Sequence, residues 1–168
     1  AALATARGEA ALAIVRLSGP QALGIAAAVY AGPAGDLSDV PSHTAWFGHI
    51  HDSNGRVVDQ VVATVFRAPR SYTGEDSVEF TCHGGDLVPE LVLRTLYAQG
   101  ARPAEPGEFS RRAFLNGKLR LEQAEAVIDL IGSRSEAAQR VAMRQLRGRL
   151  RDRLEQLRAD LLQAAARR

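Results

Sequence analysis

Residues 43–69 read HTAWFGHIHDSNGRVVDQVVATVFRAP, and this stretch determines how the rest of the sequence is interpreted. Two runs rich in β-branched and aromatic residues are separated by a short polar segment that contains Asn54-Gly55. That dipeptide is the strongest short-range hairpin signal, because both residues accept the positive φ angles of a tight turn. The stretch therefore predicts a hairpin of strands at about 43–51 and 57–67.

Further strands and helices flank the hairpin. Before it, LAIVRLSG (residues 12–19) predicts a strand, and Ser18-Gly19-Pro20 predicts the start of a helix that runs to about Tyr30. After it, SVEFTCHGG (residues 77–85) predicts another strand, and residues 86–100 predict a helix that Gly100 ends. Together these elements predict an α+β fold in which helices pack on a mixed β-sheet.

From about Arg120 onward the pattern is purely helical. LEQAEAVIDLI (residues 121–131) predicts one helix, and Ser135 predicts the N-cap of a long second one. The second helix carries an apolar stripe at three- and four-residue spacing, which is typical of a core or of an interface with a partner helix. The stripe consists of Met143, Leu146, Leu150, Leu154, Leu157 and Leu161. We therefore divide the chain into an α+β domain, residues 1–119, and a helical extension, residues 120–168.

Composition limits the class of protein. A chain of 168 residues with 46% hydrophobic residues suits one core and a smaller appended element. The single cysteine, Cys82, excludes an internal disulfide framework and fits a reducing compartment. Charged residues such as Arg7 and Glu9 interrupt the apolar N-terminal stretch, which excludes a signal peptide or a membrane span there. We expect a cytoplasmic protein without membrane contact and, since the chain opens on Ala1, part of a longer protein.

The charge is uneven along the chain. The net charge is +2, but residues 134–168 carry +6 and the preceding residues −4. A basic helical segment indicates either nearby nucleic acid or a solvated helix face. Composition leaves both interpretations open.

Three segments concentrate the unusual residues: 6–16, 70–85 and 105–127. They contain Arg16 and Glu79, each within an apolar strand pattern, and Lys118, the only lysine of the chain. On spacing alone, Arg16 and Glu79 fit the solvated face of a strand, and Asn-Gly-Lys fits a turn.

Familiar catalytic signatures are missing. The sequence has no phosphate-binding glycine loop, no His-Glu-x-x-His and no Cys-x-x-Cys. Cys82 and His83 are adjacent on a strand and so point to opposite faces, whereas His49 and His51 share a face but lack a third metal ligand. We assign no catalytic residue and no metal site, and we expect this chain alone neither to bind nor to hydrolyse GTP.

Three blocks resemble, in order and spacing, the N-terminal part of the tRNA-modification GTPase family MnmE, also called TrmE. They are LATARGEAALAIVRLSG, SYTGEDSVEFTCHGG and PGEFSRRAFLNGKLRLEQAEAVIDLI, and the resemblance continues to the end of the chain. It implies a domain similar to the tetrahydrofolate-binding domains of glycine-cleavage T-protein, then the first helices of a helical domain. The family's G domain, with its GTP, Mg and K, would lie outside this chain.

The resemblance also implies a function. Members of the family form homodimers and modify the wobble uridine of tRNA together with the flavoprotein MnmG, using a reduced folate, 5-formyl- or 5,10-methylene-tetrahydrofolate. It carries Arg16, Glu79 and Lys118 onto folate-contacting positions. A carboxylate can accept both adjacent N–H groups of a reduced pterin, which suits Glu79, and either Arg16 or Lys118 would meet the carboxylates of the glutamate tail.

The sequence departs from the family pattern at two places. Ala10 and Ala11 stand in a loop that commonly carries prolines and a glycine pair, and Arg120 stands where the family usually has aspartate. Two alternatives stay open: a stand-alone folate-dependent one-carbon transferase, and a purely structural module for tRNA binding or dimerisation.

Overall fold

The computed structural model describes residues 1–148 and 162–163. The described strands are β1 (Ala2–Leu3), β2 (Leu12–Ser18), β3 (Tyr30–Ala31), β4 (Thr44–His51), β5 (Val57–Phe66) and β6 (Ser77–His83). The described helices are α1 (Ala22–Val29), α2 (Leu87–Ala98), α3 (Glu108–Leu115), α4 (Leu121–Gly132) and α5 (Glu136–Leu146). Contacts along the chain divide it into two compact units, Ala1–Asn116 and Gly117–Arg168.

The first unit is built on one six-stranded sheet in the order β1-β2-β6-β5-β4-β3. The predicted α+β class is confirmed, but the expected mixed sheet is wrong in one respect, because every pairing between the described strands is antiparallel. The reason is the path of the chain. After α1 it runs to the far edge of the sheet and forms the β4–β5 hairpin, and β6 then enters between β5 and β2, opposite in direction to both.

One face of the sheet forms the core. Alternate residues point to opposite faces of a strand, and the buried alternates here are all apolar. They pack with the buried faces of α1 and α2, which also contact each other. The cluster includes Val15, Leu17, Val61, Ala63, Val65, Val78 and Phe80 from the strands, and Ala26, Val29, Val92 and Leu96 from the helices. Full burial of one valine, leucine or phenylalanine side chain of this cluster contributes about 1.5–3 kcal/mol.

The opposite face of the sheet carries two adjacent rows of directly paired residues. The first row is Ile14, Thr81, Val62 and Phe47, one residue from each of β2, β6, β5 and β4. Phe47 is 56% exposed and Val62 38% exposed, so the helices of the core do not cover this row. The second row begins with Arg16 and Glu79. This face is therefore apolar over one row and charged over the next.

The hairpin and its turn agree with the sequence prediction to within one residue. The Asp52 carboxylate accepts hydrogen bonds from the backbone N–H groups of Asn54 and Arg56, and Gly55 has a φ of 76°. By contrast, α3 lies in a segment for which the sequence analysis predicts no helix. It begins after Gly107, whose φ is 71°, and its buried residues are Glu108 and Ala113 rather than an apolar stripe.

The second unit begins with two helices that pack against each other. The Gln123 side chain accepts a hydrogen bond from the Arg120 N–H and donates one to the Leu146 carbonyl, which joins the start of α4 to the end of α5. Ser135 caps α5 as predicted, its hydroxyl accepting from the N–H of Ala138. Of the predicted stripe, Leu150, Leu154, Leu157 and Leu161 lie outside the described residues. None of the helices in the described part of the chain has the length and apolar character needed to cross a membrane.

Candidate functional site

Arg16 and Glu79 lie opposite each other on the neighbouring strands β2 and β6. The Arg16 Nε donates to Oε1 of Glu79 at 2.8 Å, and in the same ion pair Nη2 lies 2.7 Å from that oxygen. Each side chain is 22% exposed. The pairing follows from the alternation of the strands, which buries Val15 and Leu17 on one face and places Arg16 on the other. The structure thus brings two of the three sequence-predicted site residues into direct contact.

Two aromatic rings lie against the Arg16 guanidinium. Its central carbon is 5.0 Å from the centroid of Tyr72 and 5.3 Å from the centroid of Phe109. Tyr72 belongs to the segment between β5 and β6, and Phe109 to α3. Both distances are within the range of cation–π attraction. The sequence analysis missed both rings. The available signal was an aromatic residue in each of the two segments that also hold Glu79 and Lys118.

Glu79 keeps hydrogen-bonding capacity for a ligand. Its Oε1 accepts a hydrogen bond from Arg16, and none of the described residues donates a hydrogen bond to its Oε2. An ionised carboxylate offers about four lone-pair sites, so Oε2 and part of Oε1 can accept further N–H or O–H groups. Thr64, the partner of Glu79 on β5, adds a hydroxyl-bearing side chain to the same face. The arrangement suits a small polar ring that presents adjacent donors.

A buried carboxylate, Glu108, fixes the position of α3. Its side chain is 1% exposed and accepts hydrogen bonds from Arg102, from Arg112 and from the backbone N–H of Glu105. The hydrogen bonds from Arg102 lower the pKa of the Glu108 carboxyl far below its usual value of 4.5. Burial acts in the opposite direction and raises this pKa, whereas the hydrogen bonds from the Glu105 N–H and from Arg112 lower it further. Phe109, next along the helix, is therefore held in place by its neighbour.

The same network reaches the sheet through Arg112. Its Nη1 donates to Oε2 of Glu75 at 3.0 Å, and the Ser18 hydroxyl donates to the same carboxylate oxygen at 3.1 Å. Ser18 also shares a hydrogen bond of 2.7 Å with the buried Thr73. The end of β2, the segment before β6 and α3 are thus joined, and a cleft of about 220 Å³ lies beside them. Phe109 and Arg112 are among the residues that line it.

Lys118 lies in the second unit, directly after Gly117, which has a φ of 70°. Its side chain is exposed. Asn116, the last residue of the first unit, donates through its side chain to the Thr73 carbonyl at 2.8 Å. The chain that leads to Lys118 is therefore anchored to the segment that carries Tyr72.

The loop in which Ala10 and Ala11 depart from the family pattern packs against the end of β6. The Gly84 N–H donates to the Ala11 carbonyl at 3.1 Å. A Cβ on Gly84 would lie 2.0 Å from the Ala10 carbonyl oxygen, so only glycine fits there.

The remaining candidate groups are Cys82 and the pair of His49 and His51. Burial, with a smaller contribution from Asp59, raises the pKa of the Cys82 thiol to about 11, so it is a poor nucleophile. The rings of His49 and His51 are 6.3 Å apart. Within residues 1–148 and 162–163 no three His, Cys, Asp or Glu residues are grouped as a metal site would require.

Comparison with known proteins covers almost the whole chain. Residues 1–118 match the family described as GTP-binding protein TrmE N-terminus, and residues 121–167 match the MnmE helical domain. Proteins named tRNA modification GTPase MnmE are similar to it. The protein from Salinibacter ruber is 56% identical over 96% of this chain and 35% of its own length, and that from Bacillus subtilis is 51% identical over 99% and 37%.

The protein of that name from Enterococcus faecalis is 49% identical over 99% of this chain and 36% of its own length. The chain therefore spans about a third of the length of these relatives. The match to the N-terminal family alone extends over all six described strands, the Arg16–Glu79 pair and α3. The chain belongs to the TrmE/MnmE family and comprises its N-terminal domain followed by a segment of its helical domain.

Proposed function

We propose that this chain is the folate-binding and dimerising part of a GTPase that modifies the wobble uridine of tRNA. The names of its relatives support the activity of the whole protein, since each is called a tRNA modification GTPase. In this proposal GTP, Mg²⁺ and K⁺ act in a G domain, the flavoprotein MnmG and tRNA are partners, and the protein works in the cytoplasm.

The Glu79 carboxylate is the observation that carries the folate proposal. Glu79 lies on the open face of the sheet, where Arg16 donates a hydrogen bond to its Oε1. None of the described residues donates to its Oε2, which can therefore accept hydrogen bonds from a ligand. A reduced pterin presents an N–H and an exocyclic amine side by side, and charge-assisted hydrogen bonds to a carboxylate are about twice as strong as neutral ones. Tyr72 and Phe109 beside the pair offer apolar surface to a planar ring. These residues fit 5-formyl- or 5,10-methylene-tetrahydrofolate.

Lys118 is our proposed contact for the glutamate tail of the folate. It is exposed and carries a compact ammonium on a flexible stem, which suits an anion whose position varies with the conformation of the tail. Arg16 is less suited, because its guanidinium is already engaged by Glu79 in a hydrogen bond and an ion pair.

The apolar row on the open face of the sheet supports homodimerisation. Ile14, Val62 and Phe47 belong to this row, which directly adjoins the row of Arg16 and Glu79. A second copy would bring the same uncharged row, so no like charges would oppose each other, whereas nucleic acid would need cations there. In this arrangement the folate site borders the dimer interface.

Equilibrium dialysis of the 168-residue chain against 5-formyltetrahydrofolate tests the proposal. Saturable binding close to one folate per chain supports it. Absence of saturable binding at millimolar folate would leave the structural module as the better account. Turnover of 5,10-methylene-tetrahydrofolate by this chain alone would instead indicate a stand-alone one-carbon transferase.

A further inference from the structure

We infer that one side of α5 is a surface that binds the phosphate backbone of tRNA. Its cations are Arg140, Arg144 and the C-cap residue Arg147, which we call the basic row, together with Arg120 at the end of that row. The inference rests on the proposed function, in which tRNA is a partner, and it names the part of the chain that contacts the tRNA.

The basic row lies on a single side of α5. Successive residues of a helix are rotated by about 100°, so positions four and three residues apart fall within about 60° of one another. Ala142, the buried residue of α5, lies on the opposite side of the helix, and all three arginines are exposed. The row is about 10 Å long, which matches about three phosphates of one nucleic-acid strand.

Arg120 adds a fourth cation from outside α5. It is exposed and directly precedes α4. A Cβ placed on Gly148 would lie 4.0 Å from Nη1 of Arg120, so this guanidinium reaches the backbone that follows Arg147. The positive surface is therefore built from two elements of the second unit, and one of its members stands where the family pattern usually has aspartate.

Charges of opposite sign are separated in this unit. The exposed carboxylates of α4 are Glu122, Glu125 and Asp129, at three- and four-residue spacing. None of them forms an ion pair with the basic row, and within the described part of the chain the row has one such partner, Glu136, at 3.2 Å from Arg140. Because both members of that pair are well exposed, the pair is weak and a phosphate can replace the carboxylate.

A merely solvated helix face explains this pattern less well. The helix dipole favours cations in the last turn, which accounts for Arg144 and Arg147. It does not account for Arg140 one turn earlier, because like charges four residues apart repel each other. A polyanion removes this repulsion, and tRNA presents closely spaced phosphates, each of which a guanidinium can bind through two hydrogen bonds.

Titration of the 168-residue chain into a fluorescently labelled tRNA transcript, followed by anisotropy at several KCl concentrations, tests the inference. We expect the triple variant Arg140→Gln, Arg144→Gln and Arg147→Gln to bind at least about tenfold more weakly. The slope of log K against log [KCl] should become shallower by about two to three, since each phosphate contact contributes about 0.7–0.9 to it. Glutamine keeps a helix propensity close to that of arginine, and circular dichroism checks that the helix remains.

A second triple variant is the control for net charge. Arg7→Gln, Arg56→Gln and Arg94→Gln remove three exposed arginines of the first unit, and Arg94, like Arg140, pairs with a glutamate four residues earlier. This control should bind tRNA within about threefold of the parent and keep its salt dependence. Parental affinity of the basic-row variant would overturn the inference, and so would equal losses in the two triple variants.

Two further measurements separate this surface from other accounts. Arg120→Gln alone should make the salt slope shallower by about one, and an unchanged slope would remove Arg120 from the surface and contradict the inference as stated. Poly-glutamate at equal charge concentration should displace little tRNA, whereas displacement as effective as by unlabelled tRNA would favour an acidic protein partner and overturn the inference.

Folate binding distinguishes failure of the inference from failure of the proposed function. The basic-row variant should bind 5-formyltetrahydrofolate like the parent. If the parent binds folate but no tRNA, the inference fails and the folate proposal stands. If the parent binds tRNA through the basic row but no folate, the folate proposal fails and the inference stands.

Discussion

Arg112 binds Glu108 one helical turn before it with Nε and Nη2, at 2.9 and 2.6 Å, while its Nη1 donates to Glu75 outside the helix. One arginine thus links the only charged side chain buried among the described residues to the segment that precedes β6. This link holds α3 against the sheet. Phe109, a residue of the candidate site, lies between Glu108 and Arg112 in the sequence.

Replacing Glu108 should destabilise the first unit. Glu108→Gln removes a buried carboxylate that accepts hydrogen bonds from two arginines, and loss of one partner of such a network costs about 2–4 kcal/mol. Urea unfolding followed by the fluorescence of Trp46, the single tryptophan, reports on this unit directly. The control is Glu105→Gln, because Glu105 pairs with Arg111 at the surface and should contribute less than about 0.5 kcal/mol. Equal stability of parent and Glu108→Gln would contradict the role of Glu108.

The stabilisation by Glu108 should also depend on pH. Its folded-state pKa lies below the unfolded value, so the folded state binds fewer protons and its advantage is complete only above about pH 4.5. As the pH falls from 5 toward 2, the difference in unfolding free energy between the parent and Glu108→Gln should shrink. A difference that stays constant over this range would mean that the pKa of Glu108 is not lowered.

Most of the described strands and helices could be predicted from the sequence, whereas the contacts that form between them could not. The hairpin was predictable because Asn54-Gly55 sets the turn locally, and the cap at Ser135 is equally local. The pairing of Arg16 with Glu79 was not, since the two are far apart in the chain and meet only because β6 inserts between β5 and β2. Helix α3 escaped prediction because polar contacts of Glu108, rather than an apolar stripe, hold its buried side.

The open face of the sheet should mediate dimerisation. Residues 1–119, and the full chain, are expected to sediment as dimers at micromolar concentration. Phe47→Glu places a charge within the apolar row and should shift the chain to monomers, with thermal unfolding measured alongside to confirm that it folds. Leu87→Glu is the matched control, because Leu87 is 67% exposed at the start of α2 and should leave the dimer intact. Monomeric parent protein would contradict the proposal.

Lys118 should contribute to folate affinity and leave dimerisation unchanged. We expect Lys118→Ala to weaken binding of 5-formyltetrahydrofolate by about 1.5–3 kcal/mol, the range for a charge-assisted hydrogen bond. Lys118→Arg restores the charge but, as a planar guanidinium with a different donor geometry, should recover only part of the affinity. If both variants titrate like the parent in calorimetry, Lys118 has no part in the site.

The central claim is that Glu79 recognises a reduced folate on the open face of the sheet. It is tested most directly by titrating 5-formyltetrahydrofolate into the parent, Glu79→Gln and Glu90→Gln in parallel. Glu90 is an exposed glutamate of α2 paired with Arg94, so its variant controls for the loss of one negative charge. We expect the parent and Glu90→Gln to bind equally and Glu79→Gln to bind about 10- to 150-fold more weakly, the equivalent of one charge-assisted hydrogen bond. Equal affinity of Glu79→Gln and the parent would contradict the account.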